Sequence, residues 1–188
     1  MSEAVMKILG ISGSLREASH NRRLLQVAAT ELPEGATFEL YAGLGDIPPY
    51  LEEEEGETPP ESVAALRATV GAADAVLLAT PEYNGSIPGQ LKNALDWASR
   101  PFPDNSLRGK PVAVIGASTG LFGAVWAQAE LRKVLTTIGA KVVDAELPVG
   151  QAHDAFTEDD RLADPDLHKA LAQIVAQLVE AAIASAGA

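Results

Sequence analysis

The chain contains no cysteine. This excludes disulfides, thiolate metal sites, iron–sulfur clusters, a cysteine nucleophile and any thiol relay. Histidine is also scarce, with 3 scattered residues, too few and too dispersed to suggest a structural zinc site. Basic residues are outnumbered: 14 Lys and Arg against 26 Asp and Glu give a formal charge of −12. A field of that sign repels nucleic acid and anionic membrane, and Lys and Arg are spread thinly from Lys7 to Lys169 with no basic patch. No uninterrupted apolar run approaches the roughly 18 residues of a membrane span, and residues 1–11 read as a charged approach to a strand, not a signal peptide. The expectation is a soluble cytoplasmic protein with neither nucleic-acid nor membrane partners.

At 188 residues with 47% hydrophobic content, the chain suits one domain over 1–188, large enough to need no covalent or metal staple. Short apolar runs alternate with amphipathic stretches. Strands are predicted at Val5–Ile11, Thr37–Tyr41, Asp74–Ala79, Pro111–Ala117 and Lys141–Glu146. Helices are predicted at Asn21–Leu32, Pro60–Val70, Pro88–Arg100, Gly123–Ile138 and Asp166–Ala186. Gly43–Pro60 reads as a loop, in which the run Glu52–Glu55 is a solvated face. Three of the strands are nearly continuous apolar runs, as in a parallel sheet covered on both faces, so the fold class is α/β, doubly wound. Such sheets bind ligands beyond the carboxyl ends of their strands. The loops after strands one, three and four are therefore the places to look.

The first loop, from Gly10 to Arg23, sets two glycines, three serines, Asn21 and Arg16 ahead of a helix. Free N–H groups and the positive helix end attract an anion there, and Ser14, Ser19, Asn21 and Arg16 offer a phosphate cradle. The alternative makes Ser19 a helix cap and Arg16 a surface charge. Neither G-x-G-x-x-G nor a Walker A sequence is present. The second loop, Thr80–Gly89, uses Pro81, Asn84-Gly85 and Pro88-Gly89 to force tight turns that hold Tyr83 outward. Such a loop suits the edge of a planar ligand, or it serves only to lead into the next helix. The third, Gly116-Ala-Ser-Thr-Gly120, matches the G-x-S-x-G nucleophile elbow, with Asp144 and His153 following in triad order. Ser118, Thr119 and Gly120 equally form a small-residue loop that gives a ligand room.

Gly13-Ser-Leu-Arg-Glu-Ala-Ser-His-Asn21, followed by Pro81-Glu-Tyr-Asn-Gly-Ser-Ile-Pro-Gly-Gln-Leu-Lys-Asn-Ala-Leu-Asp-Trp97, resembles the NADPH-dependent FMN reductases. That family has a flavodoxin-like fold and includes bacterial chromate, quinone and azo-dye reductases. The resemblance extends to about Pro165 and implies a five-stranded parallel sheet in the order 2-1-3-4-5 with helices on both faces. It also implies that Ser14, Leu15, Arg16, Ser19 and Asn21 hold the FMN phosphate. Pro81, Glu82, Tyr83, Asn84 and Gly85 would line the isoalloxazine and ribityl side, with Ser118, Thr119 and Gly120 closing the pocket. It further implies a homodimer or homotetramer packed partly through the helix after Gly89. Related enzymes often read Gln-Tyr-His-Leu-Arg after strand four, where this chain has Gln128-Ala-Glu-Leu-Arg132, so a contact through that Tyr is missing.

The chemistry implied is hydride transfer from NADPH or NADH to FMN and then to a small-molecule acceptor, with no side-chain nucleophile or general base. Arg16, Arg100 and Arg108 are expected to offset the negative field where the dinucleotide approaches. The rival readings are a flavodoxin-like electron carrier and a Ser118 hydrolase. Glu82 reads either as a carboxylate tuning the site or as an Arg partner at a subunit contact. His153 reads as a polar loop residue, and Trp97 and Trp126 as core or interface residues.

Overall fold

A computed structural model describes residues 6–187. Val5, the start of the first predicted strand, lies outside them. The described elements are β1 (Met6–Ser12), α1 (His20–Thr30), β2 (Ala36–Leu40), α2 (Glu61–Ala72), β3 (Ala75–Thr80), α3 (Gly89–Ala98), β4 (Pro111–Ala117), α4 (Val125–Ile138), β5 (Lys141–Val142), β6 (Pro148–Val149) and α5 (Pro165–Ala186). The strands form one parallel sheet in the order β2-β1-β3-β4-β5, the flavodoxin-like order expected from the sequence.

Every residue of β3 and β4 is buried, which is why those segments read as unbroken apolar runs. Alternate side chains enter opposite layers. Leu9, Val76, Leu78, Val112 and Val114 pack with Leu66, Leu91, Leu95, Trp97, Leu131 and Leu135 of α2, α3 and α4. Ile8, Leu77, Ala113 and Ile115 pack with Leu24, Leu25 and Ala28 of α1 and Leu171, Ile174, Val175 and Leu178 of α5. By length and composition α5 is apolar enough to cross a membrane, but this stripe lies against the sheet as a core helix does. Its start is set by Asp164, whose carboxylate accepts the Asp166 and Leu167 N–H groups at 2.8 and 3.3 Å, with Pro165 in the first turn.

The predicted fifth strand, Lys141–Glu146, is corrected. It consists of two pieces on one edge of β4: Lys141 and Val142 pair with Pro111 and Val112, and Pro148 and Val149 pair with Gly116 and Ala117. Between them the chain leaves the ladder, and α4 side chains take the backbone groups it exposes. Gln128, fully buried, accepts the Leu147 N–H through Oε1 at 3.0 Å and donates from Nε2 to the carbonyls of Leu147 (3.1 Å) and Gly123 (3.0 Å). Arg132 pairs with Glu146 at 3.0 Å.

The Gly43–Pro60 loop contains two short 3-10 turns, at Gly43–Asp46 and Glu52–Glu54. Glu52, Glu53 and Glu54 are exposed as expected, but Glu55 is not a solvated face residue. It accepts a hydrogen bond from Tyr50 and pairs with Arg100 Nε at 2.9 Å. The Tyr50 hydrogen bond and the Arg100 charge hold the Glu55 carboxyl below its ordinary pKa, although partial desolvation opposes them.

Candidate functional site

The loops that follow β1, β3 and β4 meet at the carboxyl edge of the sheet. Two contacts fix them relative to each other. Gly13 N–H donates to Ala79 O at 2.8 Å, bringing the β1 loop against the end of β3. The buried Asn21 side chain spans to the end of β4, donating from Nδ2 to Ala117 O and accepting from Ala117 N–H, both at 2.9 Å. The Asn21 amide, expected in the anion cradle, is therefore directed at Ala117 and serves to lock loop to loop.

Ser19 caps α1: its Oγ accepts from the N–H groups of Asn21 (3.2 Å) and Arg22 (3.3 Å). Its hydroxyl proton stays available as a donor, so the capping and cradle readings of Ser19 are compatible. Ser14 Oγ accepts from Arg16 N–H at 3.3 Å, and the Arg16 guanidinium, exposed, turns back onto Ala18 O at 2.8 Å. Among the described residues, the N–H groups of Leu15, Glu17 and Ala18 have no intramolecular hydrogen-bond partner. Arg16 and Arg22 set two cations at this turn in spite of the chain's overall charge. Partial burial, and then the charges of Arg16, His153 and Arg23, hold the His20 imidazole below its ordinary pKa. Arg22, not singled out from the sequence, joins Ser12, Ser14, Arg16 and Tyr41 in lining a cavity of about 180 Å³ beside the loop. Free amides, hydroxyls and cations at a helix N-terminus are the donor set that a phosphate dianion requires.

After β3, Tyr83-Asn84-Gly85-Ser86 forms a two-residue hairpin, closed by Tyr83 N–H to Ser86 O (2.9 Å) and Ser86 N–H to Tyr83 O (3.2 Å). Asn84 and Gly85 both have positive φ, 55° and 74°, which is why Asn-Gly occupies this type I′ turn. Tyr83 is 48% exposed, pointing outward as expected. Within the chain, the Glu82 carboxylate lies against the start of α4, accepting from the Trp126 and Ala127 N–H groups at 3.1 Å each.

After β4, Ser118 Oγ accepts the Gly120 N–H at 3.2 Å, and Gly120 O accepts from Gln151 N–H at 2.9 Å. Gly150 lies so close to this loop that a Cβ there would stand 2.2 Å from Leu121 O. No hydrolytic relay forms. His153 pairs with Asp154 at 3.1 Å and is exposed, and Ser118 is not among the residues with positive φ, so the strained backbone of a nucleophile elbow is missing. Beyond Gly120, Leu121, Phe122 and Trp126 are 70%, 59% and 55% exposed, with the two aromatic rings in edge contact at 5.2 Å. Trp97, by contrast, is fully buried and donates to Pro48 O at 2.9 Å. Arg100 and Arg108 lie after α3 and before β4, at the opposite edge of the sheet, where Arg100 pairs with Glu55 and Arg108 lies over Phe102. Only Arg16 of the three expected guiding cations is at these loops.

The sequence pattern of the NADPH-dependent FMN reductases matches residues 6–154, a span that contains all three loops. The chain belongs to the NADPH-dependent FMN reductase family. Among relatives of this FMN reductase, an NAD(P)H-dependent FMN reductase of Pseudomonas aeruginosa is 43% identical over 169 residues, covering 89% of this chain and 90% of that protein. A quinone reductase of Pseudomonas putida is 35% identical over 161 residues, covering 85% and 86%. Among solved structures, the flavoenzyme NAD(P)H:(acceptor) oxidoreductase FerB of Paracoccus denitrificans superposes with a TM-score of 0.83 at 38% identity, covering 96% of this chain and 99% of that one. The cofactor of the FMN reductase is FMN and its reductant NAD(P)H, and the unpaired donors of the β1 loop fit the cofactor's phosphate.

Proposed function

We propose that this FMN reductase, acting as one FMN-binding domain over residues 1–188, passes electrons from NADPH or NADH to a quinone-type acceptor. The two substrates would use one open face of the flavin in turn. The observation that carries this reading is the concentration of free amides and cationic groups at the start of α1 in a chain of charge −12.

Ser14, Leu15, Arg16 and Ser19 would grip the phosphate, with Asn21 holding their loop to β4. Pro81, Glu82, Tyr83, Asn84 and Gly85 would present the rigid hairpin to the ring and ribityl side, and Ser118, Thr119 and Gly120 would close the pocket. FMN, when bound, supplies the hydride chemistry, which is why no side-chain acid or base is needed. The exposed Leu121, Phe122 and Trp126 beside the β4 loop suit a flat conjugated ring acceptor. The quinone reductase relative supports that class, with chromate and azo dyes as the other acceptors the family resemblance suggests. The same resemblance supports a cytoplasmic homodimer or homotetramer.

Anaerobic addition of NADPH or NADH to the FMN-loaded protein should bleach the visible flavin band, and a benzoquinone should then restore it. A flavin that stays oxidised with both nucleotides but is reduced by a protein donor would replace this reading with the electron carrier.

A further inference from the structure

Helix α4 cannot cap itself. Gly123 and Ala124 precede it with left-handed φ of 57° and 59°, and Ala124, at the cap position, has no side-chain acceptor. The first helical N–H groups of any α-helix nevertheless need partners. Val125 N–H finds Phe122 O at 3.2 Å and Gln128 N–H finds Ala124 O at 2.9 Å. The two between them, on Trp126 and Ala127, go to one carboxylate oxygen of Glu82, which is 44 and 45 positions away in the sequence. A carboxylate suits that position twice over, because it accepts hydrogen bonds and faces the positive end of the helix. One helical turn after Trp126, Glu130 Oε2 accepts the Ser86 hydroxyl at 2.7 Å. Both arms of the hairpin are thus tied to the first turns of α4: Glu82 before the turn and Ser86 after it.

We infer that Glu82 is a positioning residue: as the remote cap of α4, it fixes the hairpin Tyr83–Ser86 in the place where the flavin ring rests. This inference rests on the flavin-site reading above. Its consequence is reciprocal. If the cap helps hold FMN, bound FMN must strengthen the cap.

Two measurements test this on the purified full chain, prepared free of FMN and then titrated. In fluorescence titrations with FMN, Glu82→Ala should bind about 10-fold or more weakly, the loss of roughly one charge-assisted hydrogen bond. Glu82→Gln, which keeps an acceptor oxygen, should recover most of that affinity. In hydrogen exchange, the Trp126 and Ala127 amides should exchange faster in Glu82→Ala, and in the wild type they should slow when FMN binds. If Glu82→Ala and wild type bind FMN equally, or if FMN leaves those two amides unchanged, Glu82 only caps the helix and the inference is overturned. If the wild-type chain binds no FMN at all, the flavin-site reading itself falls. Should Glu82→Ala fail to fold, Glu82→Gln and the FMN-dependent exchange of the wild type still decide the matter.

Discussion

Gln128→Leu is expected to lower the stability of the apoprotein by about 2–5 kcal/mol, because it leaves buried backbone groups without partners. The side chain is fully buried and makes three hydrogen bonds where the edge of the sheet breaks between β5 and β6. Leucine matches the volume but returns none of them. The Leu147 N–H and the Gly123 carbonyl are then orphaned, while Leu147 O keeps its bond from Gly116 N–H at 3.2 Å. For a protein of this size, the loss corresponds to a fall in melting temperature of roughly 5–15 °C. Calorimetry of wild type and variant checks it. A melting temperature within about 2 °C of wild type would mean that the broken strand does not depend on Gln128.

Asn21→Ala should have a comparable effect on stability, about 2–4 kcal/mol, and an additional effect on the cofactor. The amide pairs with both backbone groups of Ala117, and both bonds are buried. Removing it leaves a buried N–H and a buried carbonyl at the end of β4. It also frees the β1 loop from the β4 loop, so the proposed phosphate grip and the residues proposed to close the pocket no longer share a fixed frame. Asn21→Asp should not rescue the protein. It would set a carboxylate oxygen against the Ala117 carbonyl and bury a charge with no cation partner. Urea unfolding followed by FMN titration separates the two consequences. Unchanged stability in Asn21→Ala would show that the two loops are held together by something other than this amide.

What the sequence revealed was mostly periodic or local. The runs at β3 and β4 are apolar throughout because both faces of the sheet are covered, so their type and their place at the centre were readable. Asn84-Gly85 announced its turn because few other pairs adopt positive φ at both positions. Arg22 apart, the missed features depend on partners far apart in the chain. Asn21 meets Ala117 across 96 positions, and Glu82 meets α4 across 44 and 45. A carboxylate beside a flavin-type loop suggested a tuning group or an Arg partner, and nothing nearby signalled a helix lacking its own cap. One signal was present: Gly123-Ala124 ahead of a helical pattern offers no Ser, Thr, Asp or Asn to cap it, so a cap from elsewhere was required. The fifth strand was overextended for a related reason. Val142 and Val143 look like strand residues, but Arg132 and Gln128 on α4 draw the following backbone out of the ladder.

We propose above all that the turn before α1 grips the phosphate of FMN. The most direct test is to titrate the same apoprotein with FMN and with riboflavin, which differ only in that phosphate. Several charge-assisted hydrogen bonds are at stake, each worth about 1.5–3 kcal/mol, so riboflavin should bind at least about 100-fold more weakly. Equal affinity for the two flavins would contradict the account.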